Sequence, residues 1–200
     1  MNRCDDSPRA GAASRGSRAG RTLLAAAGIL FSFVARPSLG ILSVAVVALM
    51  TLYSTTLARL PLVGNVCVAV LASLPFFYGA VTVGVARAGL ALLAVAAPLH
   101  FARELAKSMD DASADAPYRR TAPIVLGRSA TVALIAVAVG IFGWRAFALP
   151  FPDPDRRMYV IPAIVIAVVA TRRALAGRMG SPLLFKTAML AAMAAIVLAR

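Results

Sequence analysis

Long apolar runs, almost wholly Ala, Val, Leu, Ile, Gly and Phe, alternate along this chain with short stretches of charge and proline. The runs approach the roughly 20 residues needed to cross about 30 Å of hydrocarbon. Breaking the chain at charges and prolines predicts seven helices, at about residues 15–35, 41–58, 62–81, 88–109, 126–148, 158–176 and 183–199. Several are short for a full span, a mismatch that tilt and snorkelling Lys or Arg side chains can absorb. The pattern predicts an all-α, multi-span transmembrane helical bundle.

Composition sharpens this picture. The 200 residues are 60% hydrophobic and carry a formal charge of +13. That charge does not form a basic stripe with interleaved aromatics, so nucleic acid is not the expected partner. The bases lie between the apolar runs, where topology accounts for them. If all seven segments span, fifteen Lys and Arg fall on one side and six on the other, which makes the richer side cytoplasmic. Residues 1–21 read as a small, polar, basic segment ahead of a membrane domain over 22–200. The further apolar runs, and the poor cleavage sequence "ARPS", argue against a signal peptide. Cys4 and Cys67 lack metal-ligand spacing, and Cys67 is expected to be a small buried hydrophobe. Tyr53, Trp144, Phe147 and Phe151 have the placement of interfacial aromatics, whereas Phe76, Phe77 and Tyr78 after Pro75 are expected to line a helix interior or kink.

Four of the eight acids, the largest grouping in the chain, gather beside several bases in one stretch, "HFARELAKSMDDASADAPYRRTAP", residues 100–123, on the expected cytoplasmic side. Arg103, Lys107, Asp111 and Asp115 are spaced by four, so a continuing helix would line them up on one face, with Glu104 flanking and Asp110 one step round. Two chemistries fit that row. One is a magnesium-bridged diphosphate, because Mg²⁺ takes one or two carboxylates plus substrate phosphates and Arg or Lys holds the remaining charge. The other is an ordinary solvated connection.

Residue order separates the two. Arg103, Glu104, Lys107, Asp111 and Asp115, followed by Arg120, Thr121, Ala122 and Pro123, resemble the second aspartate motif of the UbiA-type intramembrane prenyltransferases, Arg-Glu-x-x-Lys-Asp-x-x-Asp-x-x-Gly-Asp and then Lys-Thr-Leu-Pro. Tyr53, Ser54, Leu57, Arg59, Gly64 and Asn65 resemble the same family's Tyr-Ser-x-x-Leu-Lys-Arg-x-x-x-x-Gly-Asn segment. These forms look closest to family members that prenylate glycerol-phosphate ethers. The resemblance implies Mg²⁺ as cofactor, Asp111 and Asp115 as its ligands and Lys107, Arg103 and Arg120 as diphosphate contacts. It also makes Tyr53 and Asn65 cavity residues, with a polyprenyl diphosphate and a lipid-precursor or aromatic acceptor as substrates.

The chain also departs from the family pattern. Ser108 stands where the family commonly has Asp, Ala114 where it has Gly, and Ala58 where a Lys usually precedes Arg59. Members usually have nine helices and a first aspartate motif. The expectation here is a nine-helix fold minus its first two helices and that motif, with Asn2, Arg3 and Gly11 as a worn remnant of the segment just beyond the motif. A second chain supplying the missing helices, or a non-catalytic lipid-binding scaffold, is the alternative to a working enzyme. A small transporter would need intramembrane charge, and only Arg87 comes near; His100 is assigned no role.

Overall fold

The computed structural model describes residues 8–116, 120–149 and 154–198. All regular structure among the described residues is helical. Seven long helices, α1 (Pro8–Ala35), α2 (Pro37–Thr55), α3 (Val63–Thr82), α4 (Ala86–Asp110), α7 (Arg128–Phe147), α8 (Ile161–Leu175) and α9 (Ser181–Leu198), match the seven expected. Two short helices, α5 (Ala112–Asp115) and α6 (Ala122–Leu126), lie between α4 and α7. Six of the segments are long and apolar enough to cross a membrane: α2, α3, α4, α7, α9 and Arg157–Leu175, which contains α8. The apolar part of α1, Gly20–Ala35, is shorter. The chain is an integral membrane protein with an all-α bundle, because only a self-satisfied backbone survives in lipid.

The chain divides into two compact units, Met1–Ala48 and Leu49–Arg200. In the first, α1 and the start of α2 form a tight hairpin. The backbone N–H groups of Leu39 and Gly40 donate to Arg36 O at 3.0 and 3.1 Å. The Ser43 hydroxyl donates to Ser32 Oγ at 2.9 Å, and the Phe33 ring fills the space beside Gly40 that a Cβ would need.

In the second unit α4 is the hub, packed against α3, α7 and α9, while α7 meets α8 and α8 meets α9. Lipid is as apolar as leucine, so what favours helix contact in a membrane is close approach through small side chains. On α8 the buried positions are Ala163, Ala167, Ala170 and Ala174, one face at helical spacing, while Val165, Val168, Val169 and Leu175 point outward. Phe142, Phe185, Leu99, Leu105 and Ile135 fill the space between. Buried Ser73 and Thr131 donate to the carbonyls of Ala69 and Gly127 four residues earlier, at 2.8 Å each, so neither leaves an unsatisfied hydroxyl.

One end of this unit is tied together by polar contacts. The Gly180 N–H donates to Asp110 Oδ2 at 3.1 Å, joining the end of α4 to the start of α9. Arg128, the first residue of α7, donates through Nη2 to Ala174 O at 2.7 Å and Leu175 O at 3.3 Å, adding a side-chain donor to carbonyls at the end of α8, where Ala174 O also accepts from the Gly177 N–H at 3.2 Å. The chain passes under this guanidinium at Gly177, where φ is +73° and a Cβ would lie 2.8 Å from Arg128 Nη2. Glycine is favoured there by its positive φ, and a Cβ would displace the end of the Arg128 side chain.

Candidate functional site

The acid-rich stretch is the C-terminal part of α4 and the turn beyond it. His100, Arg103, Lys107 and Asp111 follow one another at intervals of three or four residues, so they form one stripe along the end of α4 and its C-cap, with Glu104 flanking it. Arg103 Nη1 is paired with Glu104 Oε1. The helix does not run on through Asp115 as the spacing suggests; α4 ends at Asp110. Two adjacent carboxylates at a helix C-terminus oppose its dipole, and Asp favours turn positions. Asp111 instead leads into α5, with the Asp115 N–H donating to Asp111 O at 2.9 Å. That bond places the exposed Asp111 and half-buried Asp115 carboxylates one helical turn apart on the same side.

Asn65 arrives from α3. Its Nδ2 donates to Ser108 Oγ at 3.3 Å, and Ser108 in turn donates to Glu104 O at 3.0 Å. The segment that begins at Tyr53 and the acid-rich stretch, 43 residues apart at this contact, therefore meet at one end of α3 and α4. The approach to Asn65 is a three-residue turn in which the Val63 N–H donates to Pro61 O at 2.7 Å, forcing Leu62 to φ +64°. A γ-turn of this hand is strained for a residue with a side chain.

The remaining candidates are less tightly bound in. Tyr53 is half-buried near the end of α2 and Arg120 is exposed ahead of α6. Neither is hydrogen-bonded to the stripe among the described residues. Asp110 looks away from the stripe to Gly180. No group of three or more His, Cys, Asp or Glu able to hold a metal occurs among the described residues. Two carboxylates beside Lys107 and Arg103 still suit Mg²⁺, which completes its octahedron with water and substrate phosphate.

Beneath the stripe lies a cavity of about 660 Å³ between α3, α4, α7 and α9. Its walls are apolar, with Phe76, Leu92, Leu99, Phe142, Met193 and Ile196 among them, and two polar side chains join them, His100 and Lys186. Sequence reasoning passed over both. His100 carried a signal, since it lies three residues before Arg103 on the same stripe. Lys186 carried only its position as a lone cation in an apolar helix. Phe76, expected in a helix interior or kink, lines this cavity, whereas Tyr53 and Asn65 are not among its lining residues; Cys67 is buried and unpaired, and Trp144 is exposed with Arg145 Cζ 5.4 Å from its ring centre. Phe151 and the N-terminal Asn2, Arg3 and Cys4 lie outside the described residues.

The site is thus a charged stripe at the end of α4 and an apolar cavity farther along the same helix, inside a membrane bundle. The chain matches the UbiA prenyltransferase family over residues 10–182 and belongs to that family. It is 33% identical to a digeranylgeranylglyceryl phosphate synthase of Halobacterium salinarum, over all of this chain and 75% of that protein. The same named activity occurs in a Natronomonas pharaonis relative, 33% identical over 89% of this chain and 66% of that protein. A Pyrococcus furiosus relative is 42% identical over 50% of this chain and 36% of that protein. No solved structure matches. Prenyl transfer is the reaction class that family and relatives support.

Proposed function

We propose that this chain transfers a prenyl group from a polyprenyl diphosphate, within the cytoplasmic membrane, to a hydroxyl of a glyceryl phosphate lipid precursor. The observation that carries the reading is the junction of Asn65 with Ser108, which brings both family-like stretches together at one end of α3 and α4, the helices that also wall the apolar cavity. The product in the relatives' name has two geranylgeranyl groups on one glyceryl phosphate. A singly prenylated glyceryl phosphate therefore fits as acceptor here.

In this reading the prenyl chain lies in the cavity and its diphosphate at the stripe. Arg103, Lys107 and Arg120 hold phosphate oxygens by charge-assisted hydrogen bonds. Asp111 and Asp115 would hold Mg²⁺, which when bound would supply positive charge at the diphosphate leaving group. Asn65, fixed by Ser108, keeps α3 against α4 so that the cavity mouth stays aligned with the stripe. The apolar walls exclude water, which would otherwise intercept the allylic cation. Tyr53 forms part of the cavity entrance.

The test is transfer from labelled geranylgeranyl diphosphate by purified protein in lipid. Asp111→Ala and Asp115→Ala should each abolish Mg²⁺-dependent product, and activity retained in both would sink the assignment. A lipid-binding scaffold is the second reading, favoured by Ser108 at an acidic position of the motif; it predicts lipid binding with no turnover at any Mg²⁺ concentration.

A further inference from the structure

With Arg103, Lys107 and Arg120 assigned to the diphosphate, two polar side chains of the cavity are left without a task. His100 and Lys186 come from different helices, and the Asp110–Gly180 contact shows that they enter from the same end. Counted from that contact at about 1.5 Å per residue, His100 lies roughly 15 Å along α4 and Lys186 roughly 9 Å along α9. Leu92 and Ile196 lie farther from that end, so the two polar groups stand where the apolar cavity approaches the stripe. Neither makes a hydrogen bond or ion pair among the described residues.

Resting on the prenyl-transfer reading, we propose that Lys186 and His100 form a second, metal-free anion site that receives the phosphate head of the acceptor lipid. Among the described residues no carboxylate lines the cavity, so none there would recruit a divalent ion. A lysine ammonium is a compact charge on a flexible stem with three donors, suited to a phosphate monoester. The imidazole adds one directional hydrogen bond beside it. Arg103 and Lys107 come three and seven residues after His100, about 4.5 and 10 Å along the helix. The two anions would thus be held within two helical turns, with the acceptor hydroxyl between the phosphate and the reacting carbon. This assignment makes the acceptor an anionic lipid and excludes a neutral aromatic one.

The experiment measures dissociation constants of the full chain in nanodiscs for four probes. They are a single-chain geranylgeranylglyceryl phosphate, the same lipid without phosphate, inorganic phosphate, and geranylgeranyl diphosphate with Mg²⁺. Lys186 is exposed, so its replacement leaves the packed core intact. Lys186→Gln should weaken the phosphate lipid about tenfold, equivalent to about 1.4 kcal/mol, whether or not EDTA is present. It should leave the phosphate-free lipid and the magnesium diphosphate within twofold, and Lys186→Arg should restore most of the loss. His100→Ala should weaken the phosphate lipid alone, by a smaller factor. An unchanged phosphate-lipid constant in Lys186→Gln overturns the assignment, as does equal weakening of both lipid anions, which would mean one shared site. Inorganic phosphate binding as tightly as the phosphate lipid would assign the pair to free phosphate and overturn the lipid assignment. Wild type that binds the diphosphate but not the phosphate lipid defeats this inference alone; wild type that binds neither defeats the prenyl-transfer reading as well.

Discussion

Gly89 sits where α4 crosses α3, and a methyl group there has nowhere to go. Its Cβ would lie 2.5 Å from Ala80 Cβ, 3.0 Å from Phe77 Cα and 3.3 Å from Phe76 O. Two of those atoms are backbone, so no rotamer change relieves the contact, and the helices must separate by about 1 Å to reach ordinary carbon spacing of roughly 3.5–4.0 Å. Overpacking of this kind costs about 1–3 kcal/mol. Replacing glycine by alanine inside a helix returns up to about 1 kcal/mol, so Gly89→Ala alone would understate the clash. Gly79, on α3 and with nothing within 4 Å of its added Cβ, gains the same propensity with no clash. The difference between Gly89→Ala and Gly79→Ala therefore isolates packing, at about 2 kcal/mol. Cys67 is a buried reporter on α3; in a Cys4→Ser background, its labelling by a maleimide dye across a denaturant series in mixed micelles gives the midpoint of each variant. A difference under about 0.5 kcal/mol between the two alanine variants would refute the view that α3 and α4 are held at contact distance here.

Three further changes probe the polar end. Asp110→Ala removes the acceptor of the Gly180 N–H, and loss of about 1–2 kcal/mol should appear as roughly tenfold faster exchange of the Gly180 amide; an unchanged rate would show that the contact does not hold α9. Arg128→Ala removes the side-chain donor that ties α7 to the Ala174 and Leu175 carbonyls, so cleavage by trypsin after Arg178 should accelerate, and Arg128→Lys should recover only part of the protection because one ammonium replaces a fork. Ser108→Asp adds a carboxylate beside Asn65 and should tighten Mg²⁺ about tenfold by calorimetry; an unaltered metal constant would place the ion away from Ser108.

The helices were legible because the constraint that makes them is local: a backbone in lipid must satisfy itself, and a run of apolar residues of the right length says so. Boundaries shifted where local chemistry intervened. The α4 row stops at Asp110 rather than running through Asp115, because paired carboxylates end the helix. The site divides in the same way. Arg103, Glu104 and Lys107 share one helix face and could be read from spacing alone. The junction of Asn65 with Ser108 was foreshadowed only by motif order. Lys186 was invisible as a partner of His100, since it lies 86 residues farther along and nothing in the pattern of α9 says which helix it faces.

The alanine face of α8 also sets where this chain is free to drift. Its exposed valines point away from the packed helices, so an apolar substitution there should be nearly invisible to selection. Ala163, Ala167, Ala170 and Ala174 are fixed by volume, so every codon change that enlarges one of them pushes a neighbouring helix outward. Time should therefore erode this helix on its greasy side and preserve it on its small side. The slow positions, mapped around α8, would mark its buried face without any structure.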